Sequence, residues 1–143
     1  MEVDSDPRKR GFGKTVLIVD DNAPIRKTLA TAFMSEGFKI CGEAENGTEA
    51  VELAQKVKPD LITMDLSMPG ISGLVAASAL RKLFPRVPII LFTLYASKLL
   101  EIDAAKAGVS VVLSKTAPLS TLIDMANEMI GGQPDSLARA KAT

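Results

Sequence analysis

The sequence predicts an α/β fold, a doubly wound parallel sheet of five strands with helices on both faces, and three observations carry that expectation. Short apolar runs alternate with helix-period segments from residue 15 to residue 130, the pattern of repeated strand–helix units. The third and fourth runs, around Leu61-Ile62-Thr63-Met64 and Ile89-Ile90-Leu91-Phe92, are almost continuously apolar, as strands covered on both flanks must be. The 143 residues are 47% hydrophobic and 24% charged, ordinary values for one folded domain.

The elements follow in order. Residues 15–20 read as a first strand, after which Asn22 offers a helix cap and Pro24 a first-turn proline. Ile25, Leu29, Ala32, Phe33 and Glu36 keep helical spacing until Gly37 stops the run. Residues 38–44 make a second strand, and 48–57 a helix with Ala50, Val51 and Ala54 inward, ended by Pro59. A third strand at 61–65 leads through a Met-Pro-Gly loop to a helix at 72–83. A fourth strand at 88–93, a helix at 97–107 stopped by Gly108, and a fifth strand at 109–114 repeat the unit. The last helix, 118–130, carries Leu119, Leu122, Ile123, Ala126, Met129 and Ile130 on one stripe. Residues 1–14 are expected to be a flexible leader and 131–143, opening on Gly131-Gly132, a flexible tail.

Composition excludes several kinds of chemistry. Lysine plus arginine and aspartate plus glutamate each number 17, so no net field draws the molecule to nucleic acid or an anionic membrane. Arg8-Lys9-Arg10 is read as a solvated charge run. There is no histidine, hence no internal phosphohistidine, histidine base or histidine-ligated metal. Cys41 is the single cysteine, which excludes an intrachain disulfide and suits a small buried hydrophobe. No apolar run approaches the length of about 18 residues that spans a bilayer, and a cytoplasmic protein is expected, as a monomer or weak dimer.

The informative residues stand at the carboxyl ends of the expected strands, where open parallel sheets bind ligands. Asp20 and Asp21 close the first strand, Asp65 the third, Thr93 the fourth and Lys115 the fifth. Three carboxylates, a hydroxyl and an amine would therefore share one crevice. Carboxylates crowded together repel and raise their own pKa unless a cation neutralises them, and a hard oxygen donor set suits magnesium, with manganese as the alternative. Beside such an ion Asp65 can act as a nucleophile toward phosphorus while Lys115 and Thr93 bind the phosphoryl oxygens.

With Val16-Leu17-Ile18-Val19-Asp20-Asp21-Asn22, Asp65-Leu66-Ser67-Met68-Pro69-Gly70, Thr93 and Lys115 in place, residues 15–130 resemble the receiver domains of response regulators. The resemblance implies a flavodoxin-like sheet of order 2-1-3-4-5. It also implies Asp65 as phosphoacceptor, magnesium held by Asp20, Asp21, Asp65 and the backbone carbonyl of Ser67, Thr93 as switch hydroxyl and Lys115 as phosphoryl-binding amine. The partners implied are a sensor histidine kinase or phosphotransfer protein and a downstream output protein or domain, with no direct nucleic-acid or membrane contact.

Departures from the family pattern are informative as well. Val112 stands where receivers commonly carry an aromatic switch residue, Leu94 follows the threonine where a small residue is usual, Thr116 follows the lysine in place of proline, and Ser72 occupies a frequent aspartate position. Tyr95 is the candidate to replace the missing aromatic readout. The stretch 108–116 is most similar to receivers of helix-turn-helix regulators, which leaves both a stand-alone receiver and part of a longer regulator open. A phosphatase with an aspartyl nucleophile needs a second aspartate two residues on, where Asn22 and Ser67 stand, so the chain is read as a phosphoacceptor and not an enzyme. The alternative reading is a pseudo-receiver, a protein-binding module that phosphorylation does not regulate.

Overall fold

The computed structural model describes residues 11–130; the remainder of the expected leader, 1–10, and the expected tail, 131–143, lie outside the described residues. Strands and helices alternate as β1 (Thr15–Val19), α1 (Ala23–Ser35), β2 (Lys39–Ala44), α2 (Gly47–Val57) and β3 (Leu61–Met64). They continue as α3 (Gly73–Leu83), β4 (Ile89–Thr93), α4 (Lys98–Ala107), β5 (Val111–Ser114) and α5 (Leu119–Ile130). All neighbouring strands pair in parallel, in the order β2-β1-β3-β4-β5. The chain therefore reverses its winding direction at β1 and β3, and a crevice opens between their carboxyl ends.

Period-two alternation divides the core into two layers. Val16, Ile18, Leu61, Ile90 and Phe92 face α1 and α5, meeting Leu29, Phe33, Leu122 and Ile123. Leu17, Val19, Ile62, Met64, Ile89 and Leu91 face the other way, onto α2, α3 and α4. Those three helices present Ala50, Ala54, Ala76, Ala77 and Ala104 to the sheet, small side chains that let them approach it closely. Each fully buried Leu, Ile or Phe contributes about 1.5–3 kcal/mol, and Phe33 meets Phe38 edge-on at 5.1 Å. The continuous apolar reading of β3 holds, since Leu61, Ile62, Thr63 and Met64 are all buried.

The sequence-based bounds shift by one or two residues, for identifiable reasons. Ser72 and Ser97 are caps and not first helical residues, because their hydroxyls accept the Val75 and Leu100 N–H groups. Asn46, unassigned in the sequence reading, caps α2 in the same way and brings Gly47 into the helix. That helix closes one residue before Pro59, on Lys58 with φ 47°. Asp20, Asp65 and Lys115 lie one residue beyond their strands, yet their N–H groups still bond to Ala44, Val19 and Thr93 carbonyls. Phe38, Pro88, Val109 and Ser110 precede β2, β4 and β5, and Pro118 precedes α5.

Residues 11–14, expected within the leader, form a turn that hydrogen-bonds to the domain. Gly11 N–H donates to Asn127 Oδ1 at 2.9 Å and Gly13 N–H to the Gly37 carbonyl at 2.9 Å. Cys41 is the extra residue of a bulge in β2, where the register with β1 shifts between Val16 and Leu17. It packs half-buried against the α2–α3–α4 layer, and burial pushes its thiol pKa up.

Candidate functional site

β1 delivers Asp20 to the crevice with every polar group engaged. Lys115 Nζ donates to Asp20 Oδ2 at 2.7 Å, and Asn22 N–H donates to Asp20 Oδ1 at 2.9 Å. Arg26 on α1 donates from a terminal guanidinium nitrogen to the Asp20 carbonyl at 2.6 Å. The Asn22 side chain meanwhile caps α1 by accepting the Ile25 N–H at 2.9 Å, so the turn that ends β1 also starts the helix.

β3 delivers Asp65 beside it. The carboxylate is buried and lies 3.5 Å from Lys115 Nζ. Burial pushes the Asp65 carboxyl pKa up; Lys115 opposes the shift and the neighbouring Asp20 charge adds to it. The acid therefore holds its proton more tightly than a free carboxyl. Asp20, Asp21 and Asp65 each offer an oxygen, all within 4.8 Å of one another, with Asp21 on the solvent side. Three carboxylate oxygens at one point, opening to water, fit a hard divalent cation that keeps part of its hydration shell.

Thr93 ends β4 fully buried, and its Oγ1 accepts the Tyr95 N–H at 3.1 Å, which ties the hydroxyl to the loop that follows. Lys115 follows β5 on a turn closed by Ser114, whose Oγ accepts the Thr116 N–H at 3.1 Å and pairs with Thr116 Oγ1 at 2.7 Å. Ser67 and Tyr95, the latter 64% exposed, border a cleft of about 320 Å³ shared with Leu66, Met68, Gly70 and Ser72. Val112 lies apart from this cleft, half-buried in β5 opposite Leu91 and packed on the α2–α3–α4 layer.

The strand-end logic thus brings together Asp20, Asp21, Asp65 and Lys115. Three contributors were not legible in the sequence. Arg26 gives no signal as a lone helical arginine. The Asn22 main chain supports Asp20 in addition to the cap that was expected. Gly73 is the third: a Cβ there would strike the Asp65 carbonyl, so only glycine lets α3 begin against the end of β3.

A doubly wound sheet with an acidic trio and a lysine at its switch point defines a signalling module of the receiver class. The chain belongs to the response regulator receiver domain family, whose model matches residues 16–127. It is therefore a receiver domain of two-component signalling, a family that binds magnesium through its acidic cluster and works with kinases and output partners. It is 37% identical to the chemotaxis protein CheY of Thermotoga maritima over 118 residues, 82% of this chain and 98% of the relative. It is 42% identical to the transcriptional regulatory protein PdtaR of Mycobacterium tuberculosis over 77% of this chain, spanning about half (53%) of that protein. The crystal structure of the CheX–CheY–BeF3–magnesium complex from Borrelia burgdorferi matches with a TM-score of 0.77 at 26% identity, over 82% of this chain and 93% of that one. Among the described residues no helix is long and apolar enough to cross a membrane.

Proposed function

We propose that the protein accepts a phosphoryl group on Asp65 from a partner histidine kinase or phosphotransfer protein and thereby switches a protein-binding surface. The observation that carries the reading is the ammonium of Lys115 set between Asp20 and Asp65, at 2.7 and 3.5 Å, with Asp21 alongside. When bound, magnesium supplies the charge that offsets the carboxylates and the incoming phosphoryl oxygens. Asp20, Asp21 and Asp65 would hold it, together with the Ser67 carbonyl.

Asp65 Oδ attacks phosphorus as the bond from phosphorus to the donor nitrogen breaks, and the donor leaves as free imidazole. Lys115 and the Thr93 hydroxyl bind the transferred oxygens. Attack of water on the same phosphorus later releases inorganic phosphate and restores the carboxylate. Burial keeps competing water from the nucleophile, and the high local cost of its ionisation falls once a cation neighbours it. The beryllium fluoride and magnesium bound with the Borrelia CheY support the same chemistry by kinship.

Readout belongs to the β4–α4 loop. If the Thr93 hydroxyl turns toward the phosphoryl oxygens, the Tyr95 N–H loses its acceptor and the loop must rearrange, with Tyr95 taking the place of the ring absent at Val112. Incubation with acetyl phosphate and magnesium tests the acceptor: intact-protein mass spectrometry is expected to register one phosphoryl group on the wild type and none on Asp65→Asn. An adduct undiminished in Asp65→Asn would move the chemistry to another residue, and no adduct on either would favour the pseudo-receiver reading.

A further inference from the structure

We propose that Arg26 is a positioning residue for the cation site, gripping the peptide that joins Asp20 to Asp21. The inference rests on the reading above that these aspartates and Asp65 hold a divalent ion. One guanidinium nitrogen donates to the Asp20 carbonyl at 2.6 Å while Nε donates to Glu43 Oε1 at 3.2 Å. The Arg26 side chain is only 16% exposed, against 45% for Glu43. On its other side the Asp20 N–H is fixed to the Ala44 carbonyl at 3.0 Å. Asp20 is thus clamped at both of its peptide groups, to β2 through its N–H and to α1 through its carbonyl. The plane held by Arg26 is the one that sets where Asp21 stands relative to Asp20, and Asp21 itself is exposed. A planar guanidinium suits this work because it presents two donors in fixed geometry to two acceptors, which the point charge of lysine cannot do.

Charge and position have opposite effects here, and that makes the role measurable. A cation beside three carboxylates repels a second cation, so losing the charge alone would tighten magnesium binding. Losing the grip while keeping the charge would loosen it. Titration calorimetry of the full chain with magnesium chloride is therefore run on wild type and Arg26→Lys. Arg26→Lys is expected to bind magnesium about tenfold more weakly, the lower end for a lost outer support of a metal ligand. In acetyl phosphate reactions the variant should need correspondingly more magnesium for half-maximal rate, yet reach a rate near wild type at saturation. Unchanged or tighter magnesium binding in Arg26→Lys, or a rate deficit that excess magnesium does not restore, overturns the inference. Should Arg26→Lys fail to fold, Arg26→Met keeps the apolar stem and removes grip and charge together, so that weaker binding there can come only from the lost grip. It is expected to weaken magnesium binding, and an unchanged affinity there is equally fatal. A wild type that binds no magnesium defeats the underlying reading and this inference with it, a result distinct from wild-type binding that the variants retain undiminished.

Discussion

Asp20 and Asp65 stand side by side in different surroundings. Asp20 is saturated with donors from Lys115, Asn22 and Arg26, whereas Asp65 has a longer contact with the same lysine and a raised pKa caused first by burial. A raised folded-state pKa means that the folded protein binds the proton more tightly than the unfolded chain. The ionised Asp65 therefore costs stability above its folded pKa, and the cost fades as pH falls through that value. In magnesium-free buffer at neutral pH, Asp65→Asn is therefore expected to melt at a higher temperature than wild type. The gain should shrink as pH falls through the folded-state pKa; differential scanning calorimetry across that fall checks it, and a variant less stable than wild type would contradict the burial argument. Thr63 offers an independent test at the same scale. It is buried in β3, and its hydroxyl finds no partner. Thr63→Val keeps the shape and removes the unsatisfied group, so urea unfolding should register a stabilisation of about 1 kcal/mol.

At the scale of elements, the start of α3 and the β4–α4 loop do the most for the site. Gly73 N–H bonds to the Leu66 carbonyl at 2.8 Å while its bare Cα lies against the Asp65 carbonyl. Gly73→Ala forces β3 and α3 apart and is expected to cost about 2 kcal/mol, measured by urea unfolding, and to lower phosphorylation through a displaced Asp65. The loop after Thr93 should respond when a beryllofluoride mimic of the phosphoryl group binds with magnesium. Tyr95 emission is then expected to change in wild type and stay constant in Thr93→Ala; saturation with no change at Tyr95 would leave the readout without support. Most elements were legible because apolar period and turn residues agree, as in α1, where Asn22 and Pro24 mark the start. What escaped depends on tertiary contact. Gly11 is held by Asn127 from the far end of the chain, Lys58 adopts a left-handed conformation without being glycine, and Arg26 matters only because β2 places Glu43 and Ala44 beside β1. The positions of Asp20, Asp21, Asp65 and Lys115 were legible for a simpler reason: each lies just beyond a strand whose end the apolar pattern fixes.

Across the whole molecule, strand order turns scattered residues into one site. Placing β1 next to β3 brings Asp20, Asp21 and Asp65 to adjoining strand ends, and β5, two places away from β3, supplies a side chain long enough to reach both buried carboxylates. With 17 cationic and 17 anionic residues the charges that matter to the site are local ones. The central claim is that the phosphoryl group goes to Asp65, and site mapping tests it most directly. Protein treated with acetyl phosphate and magnesium is reduced with borohydride, which converts an aspartyl phosphate to homoserine, then digested and sequenced by tandem mass spectrometry. The account predicts homoserine at position 65 and only there, dependent on magnesium; homoserine at position 20 or 21, or a phosphoryl group on Thr93 with Asp65 unchanged, would contradict it.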